Sequence, residues 1–571
     1  MAQKLDPKSA YLARPWLRYY EPGVPPDVEV PGCSVADLFD EATEKFSGRS
    51  ALVFYGREIS FRELRDQADR LADSLSRLGL KKGDRIALYL LNSPQFVISY
   101  FAVLKLGCTV TPISPVYTSH EVRFQLEDSG ARTIICQDIL YDKVGKSGLA
   151  LDHVIVTGIS EYLPGLKRLL AKTFLAKIFG AQGPSAEVPA AANVVKFQEL
   201  IAQGSPGFAN VPVDAKTDLA SLPYTGGTTG HPKGVMLTHH NLIAAQVSGR
   251  AAFPGFDEGR EVIIAFLPFF HIYGQVVIML NGLTMGSTLI LFTTPQTEEI
   301  VEAINKYHAT VFYGVPTLYE YLKDHKDTAK VNWGRMKLLL SGADTLHEST
   351  TQGWQKRTGT AITEGYGLTE CAASAHVNPR HRPKPGAFGL PVPNVGAAVI
   401  DPENHAFVPV GETGELILRG PSVMQGYWNN PEETARTFID IDGEKWLRTG
   451  DIVRMDEEGY FHFHDRSKDL IKYKGYSVFA TDIEHVLYEH DRIKAAGVIG
   501  VSDPAVGQRI KAIVVLQPEA RGKLTEEDIL AYCREKLAHY KVPHMVEFRG
   551  ELPKTDVGKV SRRELREEHG A

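Results

Sequence analysis

Cysteine is scarce in this chain, and the few cysteines present form no pattern. The 571 residues include only Cys33, Cys108, Cys136, Cys371 and Cys533. Their number is odd and their spacing is wide, which argues against both a disulfide framework and a zinc site. We therefore expect free thiols, a reducing compartment and a cytoplasmic protein.

Long apolar runs and an excess of positive charge are also absent. No stretch approaches the roughly 18 apolar residues of a membrane span, and the opening MAQKLDPKSA lacks the apolar core of a signal peptide. The net charge of −6 gives no bulk electrostatic support for a nucleic-acid partner. Hydrophobic residues make up 43% and charged residues 23%, so the composition is that of an ordinary globular protein. A chain of this length predicts several lobes rather than one core.

Strand-like and helix-like segments alternate in the first part of the chain. Residues 51–59 predict a hairpin, and Ser60 with Glu63 then has the spacing of a capping box before a helix-period apolar stripe. Thr118 with Glu121 forms a second such pair. The alternation predicts an α/β lobe with a largely parallel sheet.

Residues 162–180, YLPGLKRLLAKTFLAKIFG, depart from this pattern. The segment is apolar and carries Lys167, Arg168, Lys172 and Lys177 without an acidic residue. A basic, apolar helix can lie on an anionic membrane surface. We therefore keep two interpretations: a peripheral contact with the inner membrane surface, and a helical insertion packed on the lobe.

An eleven-residue segment from Tyr224 to Gly234, YTGGTTGHPKG, is rich in glycine and threonine. Glycine backbones can turn successive N–H groups into one concavity that suits phosphate oxygens, and hydroxyls and a lysine add donors and charge. No Gly-Lys-Ser or Gly-Lys-Thr ends the segment, which excludes a Walker-type loop. A flexible linker is the alternative, but the Pro-Lys-Gly stop disfavours it. The candidate phosphate ligands are Thr225, Gly226, Gly227, Thr228, Thr229, Gly230 and Lys233.

Four further segments carry chemistry. Glu364 to Glu370, EGYGLTE, combines an aromatic face, a hydroxyl and a carboxylate, which suit a base, a phosphate and Mg²⁺. The turn Thr-Gly-Asp presents Asp451, whose carboxylate suits a vicinal diol. LPFFHIYG places His271 in an apolar run, where a lone histidine is more often a core residue. LPKTDVGKVSRR places Lys559 after a glycine, with a mobile basic tail as the alternative.

In this order the segments resemble the signatures of the adenylate-forming superfamily, which contains acyl-CoA synthetases, luciferases and the adenylation domains of peptide synthetases. The resemblance covers nearly the whole chain. It is greatest to AMP-forming long-chain fatty acid–CoA ligases, which share the insertion after Val156 and the spellings YTGGTTG, LPFFH and EGYGLTE. It implies an enzyme that uses ATP, Mg²⁺ and coenzyme A to activate a long-chain fatty acid to acyl-AMP and transfer it to CoA. The alternatives are an aryl or medium-chain acid as substrate, a luciferase-like oxygenase, and an acyl-AMP ligase that serves a carrier protein.

The resemblance also implies the architecture. Residues 1–465 should form a large N-terminal domain of stacked doubly wound sheets with a small β subdomain, which binds the acid and ATP. Residues 466–571 should form a small mobile α+β domain that swings about a hinge near Lys468. The residues leave open whether the chain acts as a monomer or a homodimer.

The resemblance assigns roles residue by residue. The catalytic residues it implies are Lys559, Thr228, Glu370, His271 and Lys472. Besides the seven phosphate-loop residues, it places ATP or AMP against Gly342, Ala343, Glu364, Gly365, Tyr366, Gly367, Thr369, Asp451, Arg466 and Lys559. It places the acyl group against His271, Tyr273, Gly274, Val315, Ser341 and Gly367. Lys472 and Gly475 are expected to serve CoA, and Glu370 and Thr228 to hold the metal.

The composition of the expected acyl-binding region indicates which class of acid is the substrate. No acidic residue occurs between positions 262 and 297, which argues against an amino acid, since peptide-synthetase domains place an aspartate here for the ammonium group. Gln275 stands where long-chain enzymes often have a bulky aromatic gate. Asp344 and Ala480 stand where the superfamily usually has proline, and Asp482 replaces its usual glutamate.

Overall fold

The computed structural model describes residues 6–165, 188–225, 232–294, 297–466, 469–474, 476–503, 506–554 and 560–570. The chain divides into two compact units, which are described separately. The large unit contains Trp16–Gly396 and Leu418–Leu447. The C-terminal unit contains Met1–Pro15, Ala397–Ile417 and Arg448–Ala571. The predicted hinge residue Lys468 lies outside the described residues, and the domain boundary at 465/466 stays a prediction.

Two sheets with parallel centres form the framework of the large unit. The nine-stranded sheet has the order Leu390–Pro391, His376–Val377, Thr363–Tyr366, Leu338–Ser341, Val311–Gly314, Val262–Ala265, Thr288–Leu291, Ser50–Phe54 and Arg57–Ser60. The seven-stranded sheet has the order Leu237–Thr238, Leu219–Ser221, Thr109–Pro112, Arg85–Tyr89, Thr133–Gln137, His153–Thr157 and Val194–Lys196. Central strands such as Thr133–Gln137 are buried along their whole length, as expected for sheets covered on both faces.

Helices connect these strands. They are Val35–Lys45, Phe61–Arg77, Pro94–Lys105, Ser119–Ser129, Tyr141–Lys146, Phe197–Gln203, His239–Ala251, Asn281–Thr284, Thr297–Lys306, Pro316–Asp324, Glu348–Thr358 and Pro431–Thr437. Tyr273–Leu280 is a π-helical segment. Short 3₁₀ turns occur at Asp138–Leu140, Ile159–Tyr162, Lys326–Lys330, Trp333–Arg335 and Thr369–Cys371. The predicted α/β class is confirmed.

The predicted capping boxes have different outcomes. Thr118 and Glu121 form the full reciprocal box. Ser60 caps its helix by accepting from the Glu63 N–H at 3.1 Å, but the Glu63 carboxylate does not return the bond. It accepts from the Arg57 guanidinium at 3.0 Å instead, because the preceding strand brings a cation within its reach.

The C-terminal unit contains a second α/β arrangement. Its sheet has the order Tyr476–Phe479, Leu470–Tyr473, Gly507–Leu516 and Ile493–Asp503, and Met545–Arg549 pairs in parallel with Gly507–Leu516. The helices of this unit are Pro7–Leu12, Ala480–Tyr488, Glu526–Lys536 and Arg562–His569, with 3₁₀ turns at Pro518–Ala520 and His539–Lys541. Further strands of the chain are Gly396–Ile400, Thr413–Arg419, Phe438–Ile441, Glu444–Met455 and Phe461–Arg466.

None of the helices in the described ranges is both long and apolar enough to cross a membrane. Residues 166–180 of the predicted membrane-contacting segment lie outside those ranges, so both interpretations of that segment stay predictions.

Candidate functional site

Four neighbouring parallel strands of the nine-stranded sheet end at one edge, and a predicted site segment follows each. These strands are Val262–Ala265, Val311–Gly314, Leu338–Ser341 and Thr363–Tyr366. The chain order reverses at Val262–Ala265, which has Val311–Gly314 on one side and Thr288–Leu291 on the other. Open α/β sheets bind ligands at the carboxyl ends of their strands, beside such a reversal. The fold therefore gathers the acyl and nucleotide segments at the edge where a ligand is expected.

The residues on either side of the phosphate loop form a short hairpin. Tyr224–Thr225 pairs antiparallel with Lys233–Gly234. The Tyr224 hydroxyl donates to the Asp128 carboxylate at 2.5 Å, which anchors the base of the hairpin. The loop residues Gly226, Gly227, Thr228, Thr229 and Gly230 lie outside the described residues, so their phosphate contacts stay predictions.

Lys233 has partners that the sequence did not suggest. Its ammonium forms an ion pair with Glu433 and lies 4.7 Å from the centre of the Tyr427 ring. The side chain is 10% exposed. The ion pair fixes the hairpin to the helix Pro431–Thr437. This is a structural role in addition to the phosphate contact predicted for this lysine.

The EGYGLTE segment makes an abrupt turn after its strand. A Cβ atom on Gly367 would lie 1.4 Å from the Ala373 carbonyl oxygen, so only glycine fits there. Ala372 and Ala373 both have positive φ, 53° and 85°, and this left-handed backbone reverses the chain beside Thr369. The Tyr366 ring, expected to stack on adenine, lies 4.5 Å from the Phe388 ring.

Glu364 is a buried carboxylate in this segment. Burial raises its pKa from 4.5 to about 7. Its Oε2 accepts from the Leu346 N–H at 3.3 Å, which links it to the turn that follows Ser341. In that turn Ala343 has φ 72°, and Asp344 accepts from the N–H of the next residue at 2.9 Å. A side-chain hydrogen bond of Asp344 thus restrains this turn, at a position where the superfamily usually has a proline.

Glu370, the expected metal ligand, is hydrogen-bonded by two residues of a neighbouring segment. The Tyr427 hydroxyl donates to its Oε1 at 2.8 Å, and its own carbonyl accepts from the Met424 N–H at 2.8 Å. Carboxylate oxygens are suitable ligands for Mg²⁺. The described residues contain no cluster of three or more histidine, cysteine, aspartate or glutamate side chains that could hold a metal alone.

The acyl segment bends tightly beside its strand. Nδ1 of His271 accepts from the Tyr273 N–H at 3.3 Å. A Cβ atom on Gly274 would lie 2.2 Å from the Pro268 carbonyl oxygen, and one on Gly342 would lie 3.2 Å from the Tyr273 ring. Gly274 therefore lets the acyl segment fold back on itself. Gly342 lets the adjacent turn approach the Tyr273 ring.

Two buried hydroxyls in the acyl region are unsatisfied. The Tyr273 and Ser341 hydroxyl oxygens are buried and have no hydrogen-bond partner among the residues that the structure describes. Buried polar groups in native proteins are normally hydrogen-bonded. A polar group of a bound ligand would satisfy them. Val315, the other expected acyl contact, precedes Pro316–Asp324 at its N-cap.

Gln275 is not placed to act as a gate. It is buried, and its Oε1 accepts from the Ser221 hydroxyl at 2.9 Å and from the Tyr100 hydroxyl at 3.2 Å. The first bond ties the π-helical segment to the seven-stranded sheet and the second ties it to the helix Pro94–Lys105, so the side chain has a structural role.

In the C-terminal unit, the two residues expected to bind the nucleotide lie side by side. Asp451 and Arg466 are directly opposite in an antiparallel pair, and Nε of Arg466 lies 3.3 Å from Oδ1 of Asp451. The Thr449 hydroxyl accepts from the Asp451 N–H at 3.1 Å. The contact of Asp451 with a ribose diol stays a prediction.

Of the residues predicted for CoA and for alternation, only Lys472 is described. Its side chain is 54% exposed, and Nζ lies 3.6 Å from Oε1 of Glu403. Gly475 and Lys559 lie outside the described residues.

In the C-terminal unit, Arg562 lies at the centre of a buried ionic network. The Arg562 guanidinium donates to Asp465 at 2.8 Å, Glu484 at 2.9 Å, Thr481 at 3.0 Å and Asp469 at 3.2 Å. No local pattern in the sequence indicates it.

Two family models match the chain in the order of these segments. The model described as AMP-binding enzyme matches residues 39–428, and the AMP-binding enzyme C-terminal domain matches residues 482–559. The chain belongs to the AMP-binding enzyme family.

Curated relatives within this family share nearly the full length. A long-chain-fatty-acid–CoA ligase of Bacillus subtilis is 38% identical over 97% of this chain and 98% of its own length. One of Escherichia coli O157:H7 is 36% identical over 98% of both chains. Family membership makes this chain an ATP-dependent adenylate-forming enzyme that uses CoA.

Among solved structures, ATP-bound MatB from Rhodopseudomonas palustris has a TM-score of 0.81 and 30% identity, and the match covers 93% of this chain and 98% of MatB. A long-chain-fatty-acid-CoA ligase from Archaeoglobus fulgidus has a TM-score of 0.68 and 28% identity, covering 93% of this chain and 99% of its own. Both structures share the fold of this chain over most of its length.

Proposed function

We propose that this AMP-binding enzyme converts a long-chain fatty acid, ATP and CoA into acyl-CoA, AMP and pyrophosphate. A carboxylate oxygen of the acid attacks the α-phosphorus, and pyrophosphate leaves. The CoA thiol then attacks the acyl carbonyl, and AMP leaves with the electron pair of the carbonyl–oxygen bond. Neither step needs a protein nucleophile, so positioning and charge stabilisation carry the catalysis.

The observation that carries this proposal is the composition of the acyl region. From position 262 to 297 the only charged or chargeable side chains are His271 and Tyr273, and there is no acid to pair with a substrate ammonium. Apolar side chains of this stretch, such as Ile278 and Leu283, are fully buried. The unsatisfied hydroxyls of Tyr273 and Ser341 offer donors to a carboxyl head group. An apolar region that ends in a few polar donors suits a fatty acid.

We assign Mg²⁺ to Glu370, with the Thr228 hydroxyl as a second protein ligand. The donor set fits, since Mg²⁺ prefers oxygen ligands and takes much of its shell from nucleotide phosphates and water. The bound ion would neutralise charge on the phosphates during displacement. On the protein side, Glu370 is oriented by Tyr427, and the glycine at position 367 lets the backbone pass close to Ala373.

We assign the two half-reactions to different lysines of the C-terminal domain. Lys559 stabilises the α-phosphate in adenylation, and Lys472 with Gly475 serves CoA in thioester formation. The two lysines are far apart in the sequence, and each lies close to a glycine, Gly558 and Gly475 respectively. A swing about Lys468 would present each in its turn.

The substrate class also gives a reason to keep the membrane interpretation of residues 162–180. A long-chain fatty acid partitions into bilayers, and a basic apolar segment favours their anionic surface. Flotation with anionic and with neutral vesicles, before and after charge reversal of Lys167 and Lys172, tests this. Equal flotation of both proteins would favour the packed insertion.

The experiment that tests the proposed function is the release of AMP and pyrophosphate by the purified enzyme with palmitate, benzoate, 4-coumarate or malonate, with and without CoA. We expect kcat/KM for palmitate to exceed that for benzoate by at least about 100-fold, because a well-formed apolar site gains roughly 1–3 kcal/mol per methylene. Comparable values for benzoate would instead indicate an aryl-CoA ligase. Acyl-AMP that accumulates and does not react with CoA would indicate a carrier-protein acceptor.

A further inference from the structure

One segment of the large unit joins the phosphate hairpin to the expected metal ligand. The Trp428 backbone N–H donates at 2.7 Å to the carbonyl of Gly234, the last residue of the hairpin's returning strand. On its other side, the Met424 N–H donates to the Glu370 carbonyl at 2.8 Å. The segment 424–428 is therefore bound to both parts through backbone bonds.

Tyr427 lies at the centre of this segment and contacts both parts with its side chain. Its hydroxyl donates to Oε1 of Glu370, and its ring faces the ammonium of Lys233. The residue is 7% exposed.

The ring itself is held in place. Lys233 is fixed by its ion pair with Glu433, and the Thr434 hydroxyl accepts from the Tyr427 N–H at 2.8 Å. A cation near the face of an aromatic ring is attracted to it electrostatically. The position from which the Tyr427 hydroxyl donates to Glu370 is therefore fixed.

We propose that Tyr427 is the positioning residue for the Glu370 carboxylate and so sets the affinity of this site for the Mg²⁺ that accompanies ATP. The inference rests on the assignment of the metal to Glu370 in the proposed function. A hydrogen bond to one oxygen restricts rotation of the carboxylate and orients it before the metal arrives. Hydrogen-bond partners of metal ligands typically change metal affinity by about 10–100-fold when they are removed.

The test uses Tyr427→Phe, which removes the hydroxyl and keeps the ring that faces Lys233. Calorimetric titration of ATP into the full-length protein without fatty acid, over a series of Mg²⁺ concentrations, measures binding rather than turnover. We expect the Mg²⁺ concentration for half-maximal ATP affinity to rise by about 10–100-fold, with ATP binding in EDTA unchanged. Tyr20→Phe is the matched control, because it also removes a bonded hydroxyl from the large unit, one that donates to the Pro391 carbonyl at 2.6 Å.

Two further variants make the outcome decisive. If Tyr427 acts through Glu370, Tyr427→Phe combined with Glu370→Gln should require no more Mg²⁺ than Glu370→Gln alone. An unchanged Mg²⁺ requirement in Tyr427→Phe, or additive effects in the double variant, overturns the inference and leaves the proposed function intact. A wild-type Mg²⁺ requirement in Glu370→Gln overturns both the inference and the metal assignment. The double-variant comparison also guards against a folding defect, since such a defect would add to the effect of Glu370→Gln.

Discussion

Glu364 shows what burial does to a single carboxylate beside a candidate nucleotide site. It lies in the strand Thr363–Tyr366 opposite Ser341, and its carboxylate accepts from the Leu346 N–H. Its pKa of about 7 in the folded protein, against 4.5 ordinarily, means that folding favours its protonated form. This contribution to stability is complete below pH 4.5 and is lost as the pH rises through 7.

We predict that Glu364→Gln flattens the pH dependence of stability. The native protein should lose on the order of 3 kcal/mol relative to the variant between about pH 5 and pH 8, since each pKa unit corresponds to about 1.4 kcal/mol. Denaturant unfolding at several pH values measures this difference. Parallel profiles for the two proteins would show that the Glu364 carboxylate titrates normally.

Two glycines in the same motif should tolerate substitution very differently. A Cβ on Gly367 would overlap the Ala373 carbonyl oxygen, whereas the nearest atom to a Cβ on Gly365 is a Val377 methyl carbon at 3.4 Å. We therefore expect Gly367→Ala to abolish most ATP–pyrophosphate exchange and Gly365→Ala to retain most of it. The thermal unfolding of both variants, followed with the exchange rates, distinguishes a local displacement from global unfolding. Equal loss in both would contradict the steric argument.

At the scale of elements, the Arg562 network fixes the start of a C-terminal helix. Arg562–His569 begins at this arginine, which donates to the carboxylates of Asp465 and Asp469 and to Glu484 on Ala480–Tyr488. Burial raises the pKa of Glu484 while Arg562 opposes that rise. The three carboxylates are therefore stable together only with the guanidinium among them.

We predict that Arg562→Met destabilises the C-terminal unit by about 3–5 kcal/mol, because it leaves buried carboxylates without a counter-ion. Arg563→Met is the matched control. Its side chain is 50% exposed and its partner Glu567 is 3.5 Å away, so the change should stay within about 0.5 kcal/mol. Denaturant unfolding monitored by near-ultraviolet circular dichroism compares the two. A small effect of Arg562→Met would mean that water replaces the guanidinium.

The sequence predicted local features well and contacts between distant segments poorly. The parallel α/β class and the complete box at Thr118 follow from spacing within a few residues. Tyr427 and Glu370 are 57 positions apart, and Asp465 and Arg562 are 97 apart. A single tyrosine or arginine has no local periodicity, so these contacts become visible only when the chain is folded.

Side-chain packing and helix geometry in the acyl region were also not evident from the local sequence. Gln275 stands where long-chain enzymes often have a bulky aromatic gate, but its amide oxygen accepts from Ser221 in the seven-stranded sheet and from Tyr100 on the helix Pro94–Lys105. The π-helical geometry of Tyr273–Leu280 has no signature in an apolar sequence, because apolar residues fit α- and π-helices alike. The phosphate-loop and Lys559 assignments stay predictions from the motifs.

At the scale of the whole molecule, the assigned lysines predict a division of labour. Lys559→Ala should lower the rate of adenylation by roughly 10²-fold, the scale for removal of a main electrostatic stabiliser, and still convert supplied acyl-AMP and CoA to thioester. A bulky substitution at Gly475 should do the reverse. Separate rapid-quench assays of the two half-reactions measure this. If Lys559→Ala slows both halves equally, alternation does not operate in this chain.

The composition of the C-terminal unit has a consequence for biosynthesis. Tyr11 is 1% exposed and packs near Phe407, with ring centres 6.2 Å apart. The ribosome makes Phe407 roughly 400 residues after Tyr11, which at 5–20 residues per second is a delay of about 20–80 s. Throughout that interval Tyr11 lacks its contact with Phe407, and its segment is accessible to chaperones and proteases. Quality control of this enzyme therefore begins with its first helix, long before the unit to which that helix belongs can fold.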